Sequence, residues 1–518
     1  MSKKTKKKET NKNKEKNKNN SIMYLLILTM IILTGIFLYL LLNNSNNIQD
    51  ENKENNYENK NNIQEDKSYL RSSNSDRYIL KKQKPRKSKI ININLTTRES
   101  KTLIDGKIVN IYSYNNLSPG PIIRAQKGDT LNITLINKLK ADTTIHWHGL
   151  VVPNEMDGVP GVTQKPVKPN QKFTYIYTLN QTGVYWYHSH VDTTQQVGKG
   201  LYGIIIIDEN NTKNKIKYDK EQIIDLDDIR LNRYGQISQF GSMMDARMAG
   251  RYGNTYYINA KTNLEINGTQ NSIIKLDLLN TANARIFKFG IEEHKLLVIG
   301  NDIEKIEKPY ETDSIILAPG ERAQVLILLN KTNKKKFKII NYAARTPEII
   351  GELKYNNQNN NYNNKKEIEN KTNYYNNLIK EKLNVNLPDW SNKLSQKPDL
   401  TFELYASMTE DGFKWTINGN YYPEKPDIQN LEIGKFYKAR YINKQRMIHP
   451  MHIHGQKFII LARNGVPVND TMYRDIILVF PGEEVDIGFI AQGEGKGVNH
   501  CHILEHEDRG MMGQFLVT

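Results

Sequence analysis

The chain has 518 residues, is 38% hydrophobic and carries a formal net charge of +17, a length that predicts two to four domains. The charge does not point to a nucleic-acid partner. Residues 1–20 hold nine lysines against two glutamates, residues 43–90 hold eleven Lys or Arg against seven acids, and no basic stripe interleaved with aromatics follows.

Residues 1–20 contain almost nothing apolar and are expected to be a disordered, cytosolic tail. Residues 22–42 then run apolar and uncharged from Ile22 to Leu42. As a helix they span about 31 Å, enough for a hydrocarbon core of about 30 Å. The basic flank predicts a single-pass signal-anchor with the remainder on the exocytoplasmic or luminal side. The alternative is a cleaved signal peptide and a secreted protein. Against it, the run exceeds the usual apolar length, and Leu41-Leu42-Asn43-Asn44 is no small-residue cleavage site. Residues 43–88 read as a polar stalk.

From residue 89 the pattern is all-β. Ile90–Leu95, Asp129–Leu135 and Phe173–Leu179 are apolar with short-period alternation, and Gly, Pro and Asn punctuate at short intervals, as in β-sandwiches or barrels. No long amphipathic helix is expected after residue 42. The Asn- and Lys-rich run 353–377 reads as disordered, within an insert and linker over 346–397.

An internal repeat organises this region. His146-Trp147-His148-Gly149 is echoed by His452-Ile453-His454-Gly455, and His188-Ser189-His190 by His500-Cys501-His502. Two related domains, 89–215 and 398–518, would flank a spacer domain, 216–345, whose one histidine is His294. In a strand, alternate side chains share a face. Each HxH then presents two rings on one side, and four pairs could hold three metals. Cys501 is the only cysteine. It would face away from His500 and His502, toward His449 and His506, with Met511 as a weak axial thioether. Two imidazoles, a thiolate and a thioether are the donor set of an electron-transfer copper site. Structural zinc is disfavoured, since no CxxC exists and alternating faces prevent His500, Cys501 and His502 from sharing one ion.

The motifs HWHG, YWYHSH (Tyr185–His190), HPMHIHG (His449–Gly455) and HCHILEHEDRGMM (His500–Met512) resemble those of three-domain multicopper oxidases of the laccase, copper-resistance and cuprous-oxidase group. The tract Asn154–Gln164 is similar to the copper-resistance oxidases in particular. The resemblance implies three cupredoxin-like Greek-key β-barrel or sandwich domains, with a three-copper cluster between the first and third. It also implies four coppers per chain. His449, Cys501, His506 and axial Met511 would hold the type 1 copper, and His146 and His452 the type 2 copper. His148, His188 and His502 would hold one type 3 copper, and His190, His454 and His500 the other. Asp157 and Glu507 match the family's acidic proton-relay positions, although Asp before Gly158 is also a common turn residue.

The implied partners are O₂ and a reducing substrate: Cu(I), Fe(II) or a phenol. Met447, two residues before His449, is a candidate contact for a substrate metal. Met243, Met244 and Met248 form a further thioether cluster suited to Cu(I), against the ordinary use of methionine as core filler. Gln445-Arg446 offers no carboxylate for iron. A laccase-like oxidase of phenols or amines, and a copper-binding protein without turnover, are the alternatives. A monomer is expected.

Overall fold

Strand Thr130–Asn137 alternates part-exposed and buried residues without a break, the signature of a sheet with one face on a core. The same alternation recurs along the chain in a computed structural model that describes residues 86–210, 215–356 and 365–518. The basic tail, the apolar segment 22–42 and nearly all of the polar stalk lie outside the described residues.

Three separate cores follow in chain order. Leu95, Leu131, Ile133, Trp147 and Tyr175 belong to the first. Ile266, Leu276, Phe287, Phe289 and Val325 belong to the second, and Leu404, Ile417, Tyr441, Ile487 and Cys501 to the third. Each fully buried Ile or Leu contributes roughly 1.5–3 kcal/mol, so every domain has its own source of stability. Each domain also repeats one topology. An early strand pairs in parallel with a later one (Ile90 beside Thr130, Lys220 beside Ile274, Leu400 beside Ala439). A second parallel pair closes the other sheet (Ile123 beside Ile205, Leu264 beside Gly351, Ile428 beside Gln514). The protein is mostly β, with three cupredoxin domains. The middle one keeps the architecture without the paired histidine motifs, and its His294 bonds the Tyr355 hydroxyl and packs on Phe337.

The 346–397 segment departs from expectation. Strand Glu348–Asn356 pairs with Lys336–Asn341 and with Leu264–Thr269, so it completes a sheet of the middle domain. Residues 357–364 lie outside the described residues. Helix Lys365–Leu378 then buries Tyr375 and Leu378 against Ile273, Leu297 and Leu326. Bulk composition concealed this helix, because only Tyr374, Tyr375 and Leu378, near its C-terminal end, join that apolar cluster.

Candidate metal centre

Hydrogen-bonded strands bring the duplicated motifs together. Strand His146–His148 pairs antiparallel with Gly183–His188, setting His146 opposite His188. Strand His449–Ile453 pairs with Gly495–Cys501, setting His452 opposite His500. Within each HxH the ring centroids are 4.9–6.2 Å apart, as same-face neighbours should be. The first and third domains then interleave their rings. His146 stacks on His454 with centroids 3.7 Å apart, and His148 on His452 at 3.9 Å. All eight of these histidines are buried. They fall into triads whose ligand atoms lie within 4.8 Å of one another: His146, His148 and His452; His148, His188 and His502; His190, His454 and His500.

The outer hydrogen bonds explain how the rings are aimed. Nδ1 donates to a backbone carbonyl in His146 (Asp157, 2.8 Å), His188 (Ser189, 2.9 Å) and His452 (Asp475, 2.8 Å). That fixes the tautomer and leaves Nε2 as a bare acceptor. Among the described residues, Nε2 of His146, His188, His190 and His452 has no hydrogen-bond partner, and neither nitrogen of His148 or His502 has one. A buried polar atom left unpaired costs about 1–3 kcal/mol, so this concentration of bare nitrogens fits metal ligation. His454 and His500 point their Nε2 atoms at each other, 3.0 Å apart. Burial above all holds His148, His188, His452 and His454 well below the usual imidazole range, His190 at about 4 and His502 at about 3. These six rings are therefore neutral at pH 7, the form that binds metals.

Three carboxylates sit around the cluster. Asp157 follows the short turn Asn154–Met156, and its side chain reaches His454 Nδ1 (2.8 Å) and His146 Nδ1 (3.3 Å). It ends a turn, as an Asp before glycine commonly does, and its carboxylate also contacts the cluster. Glu507 lies 3.3 Å from His500 Nδ1 and 3.6 Å from His190 Nδ1. Burial works to raise its pKa, but the neighbouring imidazoles of His500 and His190 prevail and hold it at about 2. The third, Asp475, was not expected. Its Oδ1 lies 3.4 Å from His148 Nε2. No motif marks it, and its partner Arg322 is 153 residues away.

This pair also separates the two halves of the repeat. Gly149 has φ +83°, and a Cβ there would run into the Arg322 guanidinium and the Asp475 carboxylate. Gly455 has φ +64°, and a Cβ there would meet nothing within 4 Å. Gly455→Ala should cost only the left-handed backbone penalty of about 1–2 kcal/mol. Gly149→Ala should lower the melting temperature distinctly more. Equal losses would contradict the assigned contact.

Cys501 lies on the other side of the strand, in the third core. Its Sγ is 3.6 Å from His449 Nδ1 and 3.7 Å from His506 Nδ1, and those nitrogens are 3.3 Å apart. The centre of that triangle is about 2 Å from each corner, close to a metal–imidazole bond of about 2.0–2.1 Å. Burial pushes the Cys501 thiol up, so a bound cation is needed to hold it as thiolate. Ile503 N–H points at the sulfur (3.4 Å). Met511 is buried in the same core, and Met447 packs against it half-buried. The outer edge of His506 meets the middle domain. Its Nε2 donates to the Met248 carbonyl (2.8 Å), and Trp415 packs over its ring and donates to the Ala246 carbonyl. Met243, Met244 and Met248 are exposed on this segment, so core filling does not account for them.

Comparison with known proteins agrees with this geometry. Three family profiles described as multicopper oxidase match residues 96–212, 234–364 and 394–518. The multicopper oxidase mco of Staphylococcus haemolyticus is 28% identical over 439 residues, covering 82% of this chain and 88% of that protein. A solved multicopper oxidase from Campylobacter jejuni, described as a metallo-oxidase, superposes with a TM-score of 0.69 at 28% identity, over 83% of this chain and 91% of that one. A laccase from Pediococcus acidilactici superposes with a TM-score of 0.68 at 27% identity, over 83% and 90%.

Proposed function

The chain belongs to the multicopper oxidases, and on that premise we propose that it oxidises a metal ion, Cu(I) or Fe(II), while reducing O₂ to water. Bound copper supplies one-electron chemistry at both sites. His449, Cys501 and His506, with Met511 from the same core, would hold the type 1 ion. His146 and His452 would hold the type 2 ion. His148, His188 and His502 would hold one type 3 ion, and His190, His454 and His500 the other. The triads within bonding range of one another support this assignment.

The chain's own residues do the rest. Cys501 is covalently flanked by His500 and His502, so the backbone carries electrons from the thiolate site toward both type 3 positions. A donor at the middle-domain segment that caps His506 Nε2 reaches the thiolate site through that buried ring. Asp157 and Glu507, each touching two histidines, pass on the protons that water formation consumes, Glu507 from an ionised resting state.

The metal-ion reading rests on one observation: the exposed Met243, Met244 and Met248 stand on the segment whose carbonyl binds His506. Thioethers suit Cu(I), and the description of the Campylobacter jejuni relative points the same way. A second reading has its own support. A cavity of about 580 Å³ lined by Phe240, Ala246, Glu505 and Arg509 lies beside the same segment, a size that fits a phenol. Replacing the three methionines by leucine should raise KM for Cu(I) roughly tenfold, about 1.4 kcal/mol, and leave phenol kinetics unchanged. An unaltered Cu(I) KM beside impaired phenol turnover would favour the laccase-like reading.

A further inference from the structure

The middle domain carries no ligand, yet it reaches the histidine cluster. Gly320, in the turn before strand Arg322–Leu328, lies so close that a Cβ there would sit 3.1 Å from His502 and 3.2 Å from His148. Arg322 follows two residues later and is 1% exposed. A guanidinium has five N–H donors, and here five acceptors meet them. Nε donates to the Val184 carbonyl (3.1 Å). Nη1 donates to the Gly320 carbonyl (3.1 Å) and Asp475 Oδ1 (2.7 Å). Nη2 donates to the Asp302 carbonyl (2.7 Å) and Asp475 Oδ2 (2.6 Å). Val184 belongs to the first domain, Gly320 and Asp302 to the second, and Asp475 to the third. One side chain therefore ties all three domains together at the rim of the cluster.

We propose that Arg322 is a positioning residue, through which the middle domain sets Asp475 and thereby the orientation of His148 and His452. Asp475 touches both rings, His452 Nδ1 through its carbonyl (2.8 Å) and His148 Nε2 beside its carboxylate (3.4 Å). His148 and His452 are stacked on each other, so a shift in one displaces the other. The cluster is assembled across the junction of the first and third domains, where the packing of either alone leaves the partner rings unregistered. The bidentate grip removes the rotational freedom of the Asp475 carboxylate. Without it, a buried carboxylate charge would be left uncompensated beside the ligands. Lysine cannot replace this grip, because an ammonium offers three donors from one point and no planar fork.

A purely structural salt bridge would also be buried and bidentate, so the test needs readouts that distinguish the two. The variants are Arg322→Lys, Arg322→Gln, Asp475→Asn and the double Arg322→Gln/Asp475→Asn, made in the full, copper-loaded chain. Four quantities are measured: copper per chain, type 1 absorption, the type 2 electron paramagnetic resonance signal, and the rate at which the anaerobically reduced protein is reoxidised by O₂. The expected result is unchanged type 1 absorption, an altered or lost type 2 signal, and reoxidation slowed about 10- to 100-fold, the usual effect of losing an outer partner of a metal ligand. Arg322→Lys should not restore either readout, and the double variant should be no worse than Arg322→Gln, since the two residues act as a unit. Parent-like type 2 signal and reoxidation in Arg322→Gln would overturn the proposal. So would type 1 and type 2 copper falling in equal proportion in all four variants, which marks a folding role. The proposal rests on the histidine cluster holding copper; a parent protein without a type 2 signal would refute that reading, and is distinguishable from a normal parent with indifferent variants.

Discussion

Cys501→Ser should give a protein with no blue absorption and with O₂ uptake at the background of the uncatalysed reaction for every donor, while the histidine cluster still binds copper. The sulfur lies 3.6 and 3.7 Å from His449 and His506 Nδ1, and an alcohol offers no thiolate to complete that set. On the proposed electron route, the thiolate is also the link between His506 and the rings of His500 and His502. Serine is nearly isosteric, and the site is enclosed by the third core, so the fold should persist. The check is optical and magnetic: the thiolate band should vanish while the type 2 signal remains. Residual turnover with a Cu(I) or phenol donor would mean that electrons reach the cluster by another route.

Asp157→Asn should slow O₂ reduction by roughly 10²- to 10⁴-fold, the span of general acid catalysis, and leave the blue colour and the rate of type 1 reduction intact. The Asp157 carboxylate bonds His454 Nδ1 at 2.8 Å and faces His146 Nδ1 at 3.3 Å. It also opens onto a recess of about 30 Å³ lined by Asn154, Gln456 and Gln492, room for a water that can resupply its proton. Asparagine keeps the shape and the backbone carbonyl that orients His146, but cannot cycle a proton. The measurement is single-turnover reoxidation of the reduced protein. Loss of the blue colour would instead indicate a role in folding.

What the sequence disclosed and what it concealed divide along a physical line. The grouping of the histidines was legible because HxH on a strand places two rings on one face, and the repeat showed that this occurs in two domains. Asp157 was legible only through the resemblance, since its contact with His454 spans 297 residues. Asp475 and Arg322 were not legible, because a lone Asp and a lone Arg carry no spacing signal and meet only when three domains dock. Helix Lys365–Leu378 was missed for the opposite reason: its asparagines and lysines outweigh the tyrosines and leucine that anchor it on the middle domain. The exposed methionines were legible as a cluster, but the contact of their segment with His506, through the Met248 carbonyl, depended on the docking of the middle domain against the third.

In the proposed function, electrons enter at Cys501 and leave in fours at the histidine cluster. Its most direct test is the stoichiometry of O₂ consumed against electrons delivered to the copper-loaded protein, with peroxide assayed in the same cell. The expected result is one O₂ per four electrons, with water as the product and no peroxide. Accumulated peroxide at one O₂ per two electrons, or a copper-loaded protein that consumes no O₂ with any donor, would contradict it.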